Sequence, residues 1–246
     1  YDYHVGKENR GISDNTNECI SYAKGEYIGL LDHDDILHES ALYEVVKVIN
    51  EEDSDFIYTD EIKFEEDIRE SFAPNFKPDF SADELRAHNF ICHFCVYSTE
   101  LYNKHGGYRR EFDGSQDHDI VLRLTEKAKR IAHIPKILYH WRIHSNSTAA
   151  ATAGDAKPYA FEAGKKAIED HLKRMNLDGT VSEGCIDGIS INMAKNHSGE
   201  YKSEQVADFQ KFVFLHGSSY LNSHWSQPQT APVATLLRAK SSAFLT

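Results

Sequence analysis

The chain has 246 residues, of which 40% are hydrophobic and 27% are charged, and its formal net charge at pH 7 is -12. This length suits one large domain, or one domain with an appendage, and is enough to bury a sizeable core. No block rich in Lys and Arg interrupts the acidic composition, so we predict no nucleic-acid partner. Because no apolar run approaches the ~20 residues that cross a bilayer, we expect a cytoplasmic chain that at most lies peripherally at the inner face of the membrane.

The first sixty residues alternate between predicted helices and strands. Capping residues followed by apolar residues at helical spacing predict a helix over residues 14–24. The apolar stretch at 26–31 is typical of a buried strand, a helical pattern follows at 38–50, and DFIYTD at 55–60 is the next strand. Elements that alternate in this way predict an α/β fold with a largely parallel sheet.

The rest of the chain is less regular. Residues 61–90 are polar and broken by prolines, which predicts a long excursion with one short helix near 81–88. We then expect, in this order, a strand at 90–98, a helix at 99–105, a helix at 116–129, two short strands on either side of Pro135, and a long amphipathic helix at 158–176. From about residue 195 onward the periodicity fades and no fold is predicted.

Three aspartates, Asp32, Asp34 and Asp35, directly follow the first buried strand. Carboxylates at the carboxyl end of a parallel strand lie in the crevice where open α/β sheets bind ligands. Residues two apart in an extended chain point the same way, so Asp32 and Asp34 can both address one hard cation, Mg²⁺ or Mn²⁺. The alternative is that Asp34 or Asp35 only caps the next helix. A cap needs one aspartate rather than three, which favours the metal site.

Further candidate groups lie in three weaker clusters. Asp117 and Asp119 begin the helix at 116–129, where the helix dipole favours carboxylates even without another role. The other two clusters are polar residues beside a strand end or a helix start: His140, Arg142 and His144 after the last predicted strand, and Arg10 and Gly11 before the first helix. The cluster of His140, Arg142 and His144 could equally be a solvated edge of the sheet. The cluster of Arg10 and Gly11 could bind a phosphate at the helix N-terminus.

The order of these signals resembles that of the GT-A glycosyltransferases of family 2, particularly the bacterial rhamnan and O-antigen type. An Asn-Arg-Gly loop, a strand ending in Asp-x-Asp, a Gly-Gly-Tyr turn, a Gln-Asp at a helix start and a Tyr-x-x-Arg-x-His follow one another between about residues 5 and 148. The run GISDNTNECISYAKGEYIGLLDHDD is the most specific part of the match. The resemblance implies a GT-A-like, Rossmann-related α/β fold with a mostly parallel sheet flanked by helices.

The resemblance also implies a division of the chain. Family members open with an apolar first strand that precedes these motifs, so we expect an N-terminally truncated GT-A domain over residues 1–150. A C-terminal helical extension at 151–195 and a poorly defined tail at 196–246 are expected to follow.

Roles for particular residues follow from the same resemblance. Asp34 is implied as a metal ligand, and Asp32 is placed in the metal and ribose region. Asp117 is implied as the general base, with Gln116 standing where the family has Glu, while Asp119 would cap or orient the helix. The remaining implied site residues are Arg10, Asn17 and His33 for the nucleotide-sugar donor, and His144 for the metal or the diphosphate.

The implied activity is a metal-dependent, inverting transfer of a sugar from a nucleoside diphosphate sugar to the hydroxyl of a saccharide or lipid-linked saccharide, in surface polysaccharide synthesis. Two other hypotheses stay open. A haloacid dehalogenase-type phosphohydrolase also places Asp-x-Asp after a buried strand, although it wants Thr or Val where this chain has Ile36. A non-catalytic carbohydrate-binding or interaction fragment of such an enzyme would explain the expected truncation.

Overall fold

The structure is a computed structural model that describes residues 4–6, 8–143, 158–186, 189–195 and 233–237. In the first half of the chain its elements are α1 (Ile12–Ser21), β1 (Tyr27–Leu31), β2 (Ile36–Leu37), α2 (Ala41–Glu52), β3 (Phe56–Phe64), β4 (Phe72–Asn75), α3 (Ala82–Ala87), β5 (Cys95–Ser98) and α4 (Thr99–His105). They continue with α5 (Gln116–Thr125), β6 (Ile131–Arg142), α6 (Pro158–Arg174), β7 (Thr180–Ile186), β8 (Ile189–Lys195) and β9 (Val233–Leu237). Single 3₁₀ turns lie at Ile68–Glu70 and Arg110–Phe112.

The main sheet has the strand order β2-β6-β3-β5-β1-β9, with β4 pairing beside β3. Strands β1 and β3 both run antiparallel to β5, and β6 runs parallel to β3. Strands β1, β3 and β6 therefore share one direction, and their carboxyl ends meet at one edge of the sheet. We call this edge the carboxyl edge.

The expected α/β class is confirmed, but the sheet is mixed rather than mostly parallel. Among the described strands of this sheet only the β3 and β6 pairing is parallel. The reason is the excursion at 61–90, which carries β4 and α3 and returns the chain so that β5 enters between β1 and β3 in the opposite direction. The polarity of a strand leaves no trace in its own hydrophobic pattern, so alternation of elements could not predict it.

Helices cover both faces of the sheet because β3 is apolar on both sides. Successive side chains of a strand point to opposite faces, and Phe56 and Tyr58 enter one buried cluster while Ile57 enters the other. Helix α2 packs in the second cluster through Ala41 and Val45. Helices α5 and α6 pack in the first through Ile120, Leu124, Ile168 and Leu172. Truncating a fully buried ring such as Phe56 to Ala costs about 3–5 kcal/mol.

The predicted pair of strands around Pro135 differs in the structure. Strand β6 is one continuous strand of 12 residues instead of two short strands around Pro135. Its register against β3 jumps from Ile134 opposite Thr59 to Ile137 opposite Asp60, so the ladder skips the proline. Proline cannot donate to a ladder, and a bulge of this kind accommodates it within the strand.

The C-terminal region is more than a helical extension. Helix α6 is followed by an antiparallel hairpin of β7 and β8, and the side chains of α6 belong to the main core. Of the tail after residue 195, the structure describes β9, which pairs antiparallel with β1. The division at residues 150 and 195 stays a prediction. Within the described parts of the chain, no helix combines the length and apolar character needed to cross a membrane.

Candidate functional site

Two residues that the sequence singled out, Asp32 and Arg142, lie at the carboxyl edge together with others that it did not. Asp32 follows β1, Arg142 ends β6, and Lys63 and Phe64 end β3. Strand β5 runs the other way, so His93, two residues before its start, reaches the same edge. The edge therefore collects residues from four strands, as open α/β sheets do at their ligand crevices.

The loop Asp32–Asp35 is fastened to β6 by its last residue. Asp35 is 8% exposed, and its carboxylate accepts hydrogen bonds from the Tyr139 hydroxyl and from the Arg142 backbone N–H at 2.8 Å. The Arg142 guanidinium also donates to the backbone carbonyl of Asp34 at 2.7 Å. Burial raises the pKa of Asp35 to about 7, although His93 and these hydrogen bonds lower it. Asp35 is thus a structural carboxyl group of the loop.

The capping alternative for these aspartates is wrong. Helix α2 has Ser40 at its N-cap and no side-chain capping bond. Asp32 instead lies beside the other charges of the loop: burial raises its pKa, His93 and His33 lower it, and Asp34 raises it. Asp32 and Asp34 are therefore close enough to repel each other.

Asp117 is the second residue of α5 and lies within electrostatic reach of Asp32. Burial raises the pKa of Asp117 to about 6, with His93 lowering it and Asp32 raising it further. The side-chain amide of Gln116 donates to Asp117 Oδ2 at 3.0 Å, while its oxygen accepts from the Gly114 N–H at 2.8 Å. The residue that replaces the family Glu thus holds the neighbouring carboxylate in place.

Sequence reasoning missed a buried charge cluster that consists of Glu61, Lys77 and His93. Glu61 is 1% exposed, and its carboxylate lies 3.5 Å from the Lys77 ammonium and 3.6 Å from His93 Nδ1. Burial lowers the pKa of His93, but Glu61, Asp32 and Asp35 raise it to about 9. A positive His93 therefore lies among the carboxylates of the site. The available signal was Glu61 near the end of the strand β3 and His93 inside the apolar run FICHFCVY.

Asp119 faces away from this site. It is fully buried, and its carboxylate accepts hydrogen bonds from Arg109 Nε at 3.0 Å and from Arg123 Nε at 3.0 Å. Arg109 also pairs with Asp170 of α6 at 2.6 Å. Ser115 is the N-cap of α5 and makes no side-chain capping bond, so Asp119 joins α5 to α6 rather than capping the helix.

The residues predicted to bind the donor have other contacts in the structure. The Asn17 amide donates to the Tyr108 carbonyl at 2.7 Å and accepts from the Tyr102 hydroxyl at 2.7 Å, which holds α1 against the Gly-Gly-Tyr turn. Arg10 forms an exposed ion pair with Glu18. His33 is exposed, with Nδ1 3.7 Å from Asp34 Oδ1. Their donor roles stay predictions, and His144 lies outside the described residues.

Metal-ligating groups are sparse at the site. Within the described part of the chain, no three His, Cys, Asp or Glu side chains are grouped as a metal site would require. Asp32 and Asp34 are the pair of carboxylates that the sequence predicted for this role. Magnesium is commonly held by one or two carboxylates together with water and substrate phosphates, so this pair is compatible with such a site.

Comparison with known proteins identifies the family. Residues 3–106 match the family model described as Glycosyl transferase family 2. The uncharacterized protein y4gI of Sinorhizobium fredii is 44% identical over 68% of this chain and 18% of its own length. The O-antigen biosynthesis protein RfbC of Myxococcus xanthus is 38% identical over 68% of this chain and 13% of its own length. The chain thus spans less than a fifth of either relative.

A solved structure shares the fold. S. aureus TarS 1-349 in complex with UDP-GlcNAc superposes with a TM-score of 0.51 at 17% identity, over 68% of this chain and 48% of TarS 1-349. The family match and the shared fold agree with the GT-A-like architecture that the motif order implied. Residues 3–106 of the chain belong to glycosyl transferase family 2.

Proposed function

We propose that this chain carries out part of a metal-dependent, inverting sugar transfer in surface polysaccharide synthesis. The donor is a nucleoside diphosphate sugar, and the acceptor is a hydroxyl of a saccharide or a lipid-linked saccharide. The name of the O-antigen relative supports polysaccharide synthesis, and the UDP-GlcNAc complex of TarS supports a nucleotide-sugar donor. A position at the inner face of the membrane belongs to the same proposal.

One observation carries the proposal: the charge of Asp32, at the end of β1, raises the pKa of Asp117, at the start of α5. The two residues are far apart in the sequence. Their carboxylates nevertheless share one electrostatic neighbourhood at the carboxyl edge, with His93 acting on both. A sugar transfer needs such an arrangement, because the group that holds the donor and the group that deprotonates the acceptor must address the same small substrate.

The residues at the loop fit a divalent cation. Asp32 and Asp34 offer hard oxygen ligands, and Asp34 raises the pKa of Asp32, a repulsion that a cation between them would relieve. In our proposal Asp34 and Asp32 hold Mg²⁺ or Mn²⁺, with His144 as a further ligand or a donor to phosphate. When bound, the cation supplies positive charge that stabilises the leaving diphosphate.

Asp117 is the proposed general base. Its pKa of about 6 leaves it ionised at neutral pH, so that it accepts the proton of the acceptor hydroxyl as the new glycosidic bond forms. Gln116 orients the carboxylate through its hydrogen bond to Oδ2. The positive charge of His93 favours the ionised form of Asp117, since it lowers the pKa that burial raises.

Calorimetric titration of the full chain with UDP and with dTDP, each with and without Mn²⁺, tests the proposal. We expect binding that requires the metal and that weakens by about tenfold or more in Asp34→Asn, the loss typical of one contact to a charged group. Asp83→Asn is the matched control, since that side chain is 94% exposed. Nucleotide binding that ignores both the metal and Asp34→Asn would argue against the proposal. A chain that binds saccharide but neither nucleotide would support the non-catalytic alternative.

A further inference from the structure

Lys63 is a buried lysine at the carboxyl edge. It is the last residue but one of β3 and is 8% exposed. Its register partners are Trp141 on β6 and Phe72 on β4. Side chains of register partners lie on the same face of a sheet, and the Lys63 ammonium indeed lies 5.1 Å from the centre of the Trp141 ring.

Within the described residues, the Lys63 ammonium makes no hydrogen bond and no ion pair. The acid that acts on it is Glu61, two residues earlier on the same face. Glu61 is already engaged by Lys77, by the His93 backbone N–H and by the Asn75 amide at 3.2 Å. Burial lowers the pKa of Lys63, and Glu61 raises it. The Lys63 Nζ still touches solvent, so this ammonium has three donors that a bound ligand can reach and pair with.

A chain of aromatic contacts joins Lys63 to the aspartate loop. The Trp141 ring lies 5.3 Å from the ring of His93, which in turn stacks on Tyr139 at 5.1 Å. The Tyr139 hydroxyl donates to Asp35 of the loop. Lys63 and Trp141 are therefore continuous with the candidate site, and they flank it on the side where β4 begins.

We propose that Lys63 and Trp141 form a substrate subsite that binds an anionic oxygen group carried by a sugar. The ammonium pairs with the anion, and the half-buried indole, with the 42% exposed Phe72 beside Lys63, presents an apolar face to the sugar ring. This inference rests on the proposed sugar transfer. Two sources share the chemistry: the diphosphate of the donor, and a carboxylate or phosphate on the acceptor saccharide.

The indole provides a direct readout of this subsite. The chain has two tryptophans, so Trp225→Phe leaves Trp141 as the single reporter of fluorescence. In that background the full chain is titrated with inorganic pyrophosphate in Mg²⁺, with glucuronate and with glucose. The same titrations are made on Lys63→Met, which keeps the length of the side chain, and on Lys63→Arg, which keeps the charge. Lys136→Met is the matched control, because Lys136 is an exposed lysine paired with Glu44 on the surface.

We expect an anionic probe to change the Trp141 emission and to bind about tenfold or more weakly to Lys63→Met, the loss of one charge-assisted hydrogen bond. Lys63→Arg should retain most of the affinity, and Lys136→Met should equal the parent. If Lys63→Met loses affinity for pyrophosphate alone, the subsite binds the donor diphosphate. A loss for glucuronate alone, with glucose unchanged, assigns it to an acidic acceptor, and a loss for both assigns it to either anion.

The proposal is overturned if no anionic probe alters the Trp141 emission of the parent chain, or if Lys63→Met binds the anions as the parent does. The first criterion needs no variant at position 63, so misfolding of Lys63→Met cannot hide a negative result. Failure of the proposed sugar transfer would give a different result: nucleotide binding that changes neither with Mn²⁺ nor in Asp34→Asn.

Discussion

Asp117 and Asp119 lie two residues apart on α5 and have opposite environments. Asp117 is in the electrostatic field of Asp32 and His93, whereas Asp119 is buried between the guanidinium groups of Arg109 and Arg123. At 3.6 residues per turn, positions two apart point about 200° apart. One helix therefore presents a carboxylate to the candidate site and another to the interface with α6.

Replacing Asp119 should destabilise the protein rather than alter its chemistry. Asp119→Asn leaves Arg109 and Arg123 facing a neutral amide in a buried position, and breaking such a pair costs about 3–5 kcal/mol. The midpoint of urea unfolding measures the loss, with Asp83→Asn as the exposed control. Equal midpoints for the two variants would mean that the ion pairs of Asp119 contribute little to stability.

Asp35 should make stability depend on pH. Its folded-state pKa of about 7 lies above the value of about 3.9 of an unfolded chain, so the folded state holds a proton that the unfolded state releases. The contribution of Asp35 to stability therefore falls as the pH rises from about 4 through about 7, by up to about 1.4 kcal/mol per pH unit. Asp35→Asn lacks this pH-dependent contribution, because an amide does not titrate.

Urea unfolding at pH 5 and pH 8 measures this pH-dependent contribution of Asp35 to stability. The stability of the parent relative to Asp35→Asn should be higher at pH 5 than at pH 8, while Asp83→Asn should show no such trend. A relative stability that rises with pH would mean that Asp35 is ionised in the folded state well below pH 7.

His93 should remain positively charged at pH 8, because Glu61 and the neighbouring aspartates raise its pKa to about 9. Its ring signals in an NMR titration can be assigned by their loss in His93→Gln. Glu61→Gln should lower the pKa of His93, since it removes the largest favourable interaction of the charged ring. A neutral His93 at pH 8 in the parent chain would remove the positive charge from our description of the site.

The sequence was informative where one pattern has one physical meaning. The apolar run before Asp32 had to be a buried strand, and aspartates at its end had to lie at an edge of the sheet. The helical spacing before Leu124 had to form α5, which placed Asp117 in its first turn. These local patterns, taken in order, were enough to predict the α/β class and the family.

Other features depend on contacts that no local pattern encodes. The direction of β5 is decided by the path of the excursion before it, and the continuity of β6 is decided by a bulge at Pro135. Asp35 became a structural carboxyl group because it contacts Tyr139, a residue more than 100 positions away in the sequence. Asp119 became part of a buried ion pair because it contacts Arg109. Lys63 looked like any polar residue of the excursion until its register opposite Trp141 was known.

The turnover of Asp117→Asn tests the central claim most directly. Sugar transfer is followed with the full chain, Mn²⁺, a nucleotide sugar and a saccharide acceptor, with Asp83→Asn as the control. A positioned general base contributes roughly 10²- to 10⁴-fold, so Asp117→Asn should bind metal and nucleotide as the parent does and lose at least about a hundredfold in turnover. Turnover of Asp117→Asn within a few-fold of the parent would contradict the assignment of Asp117 as the base and the inverting mechanism built on it.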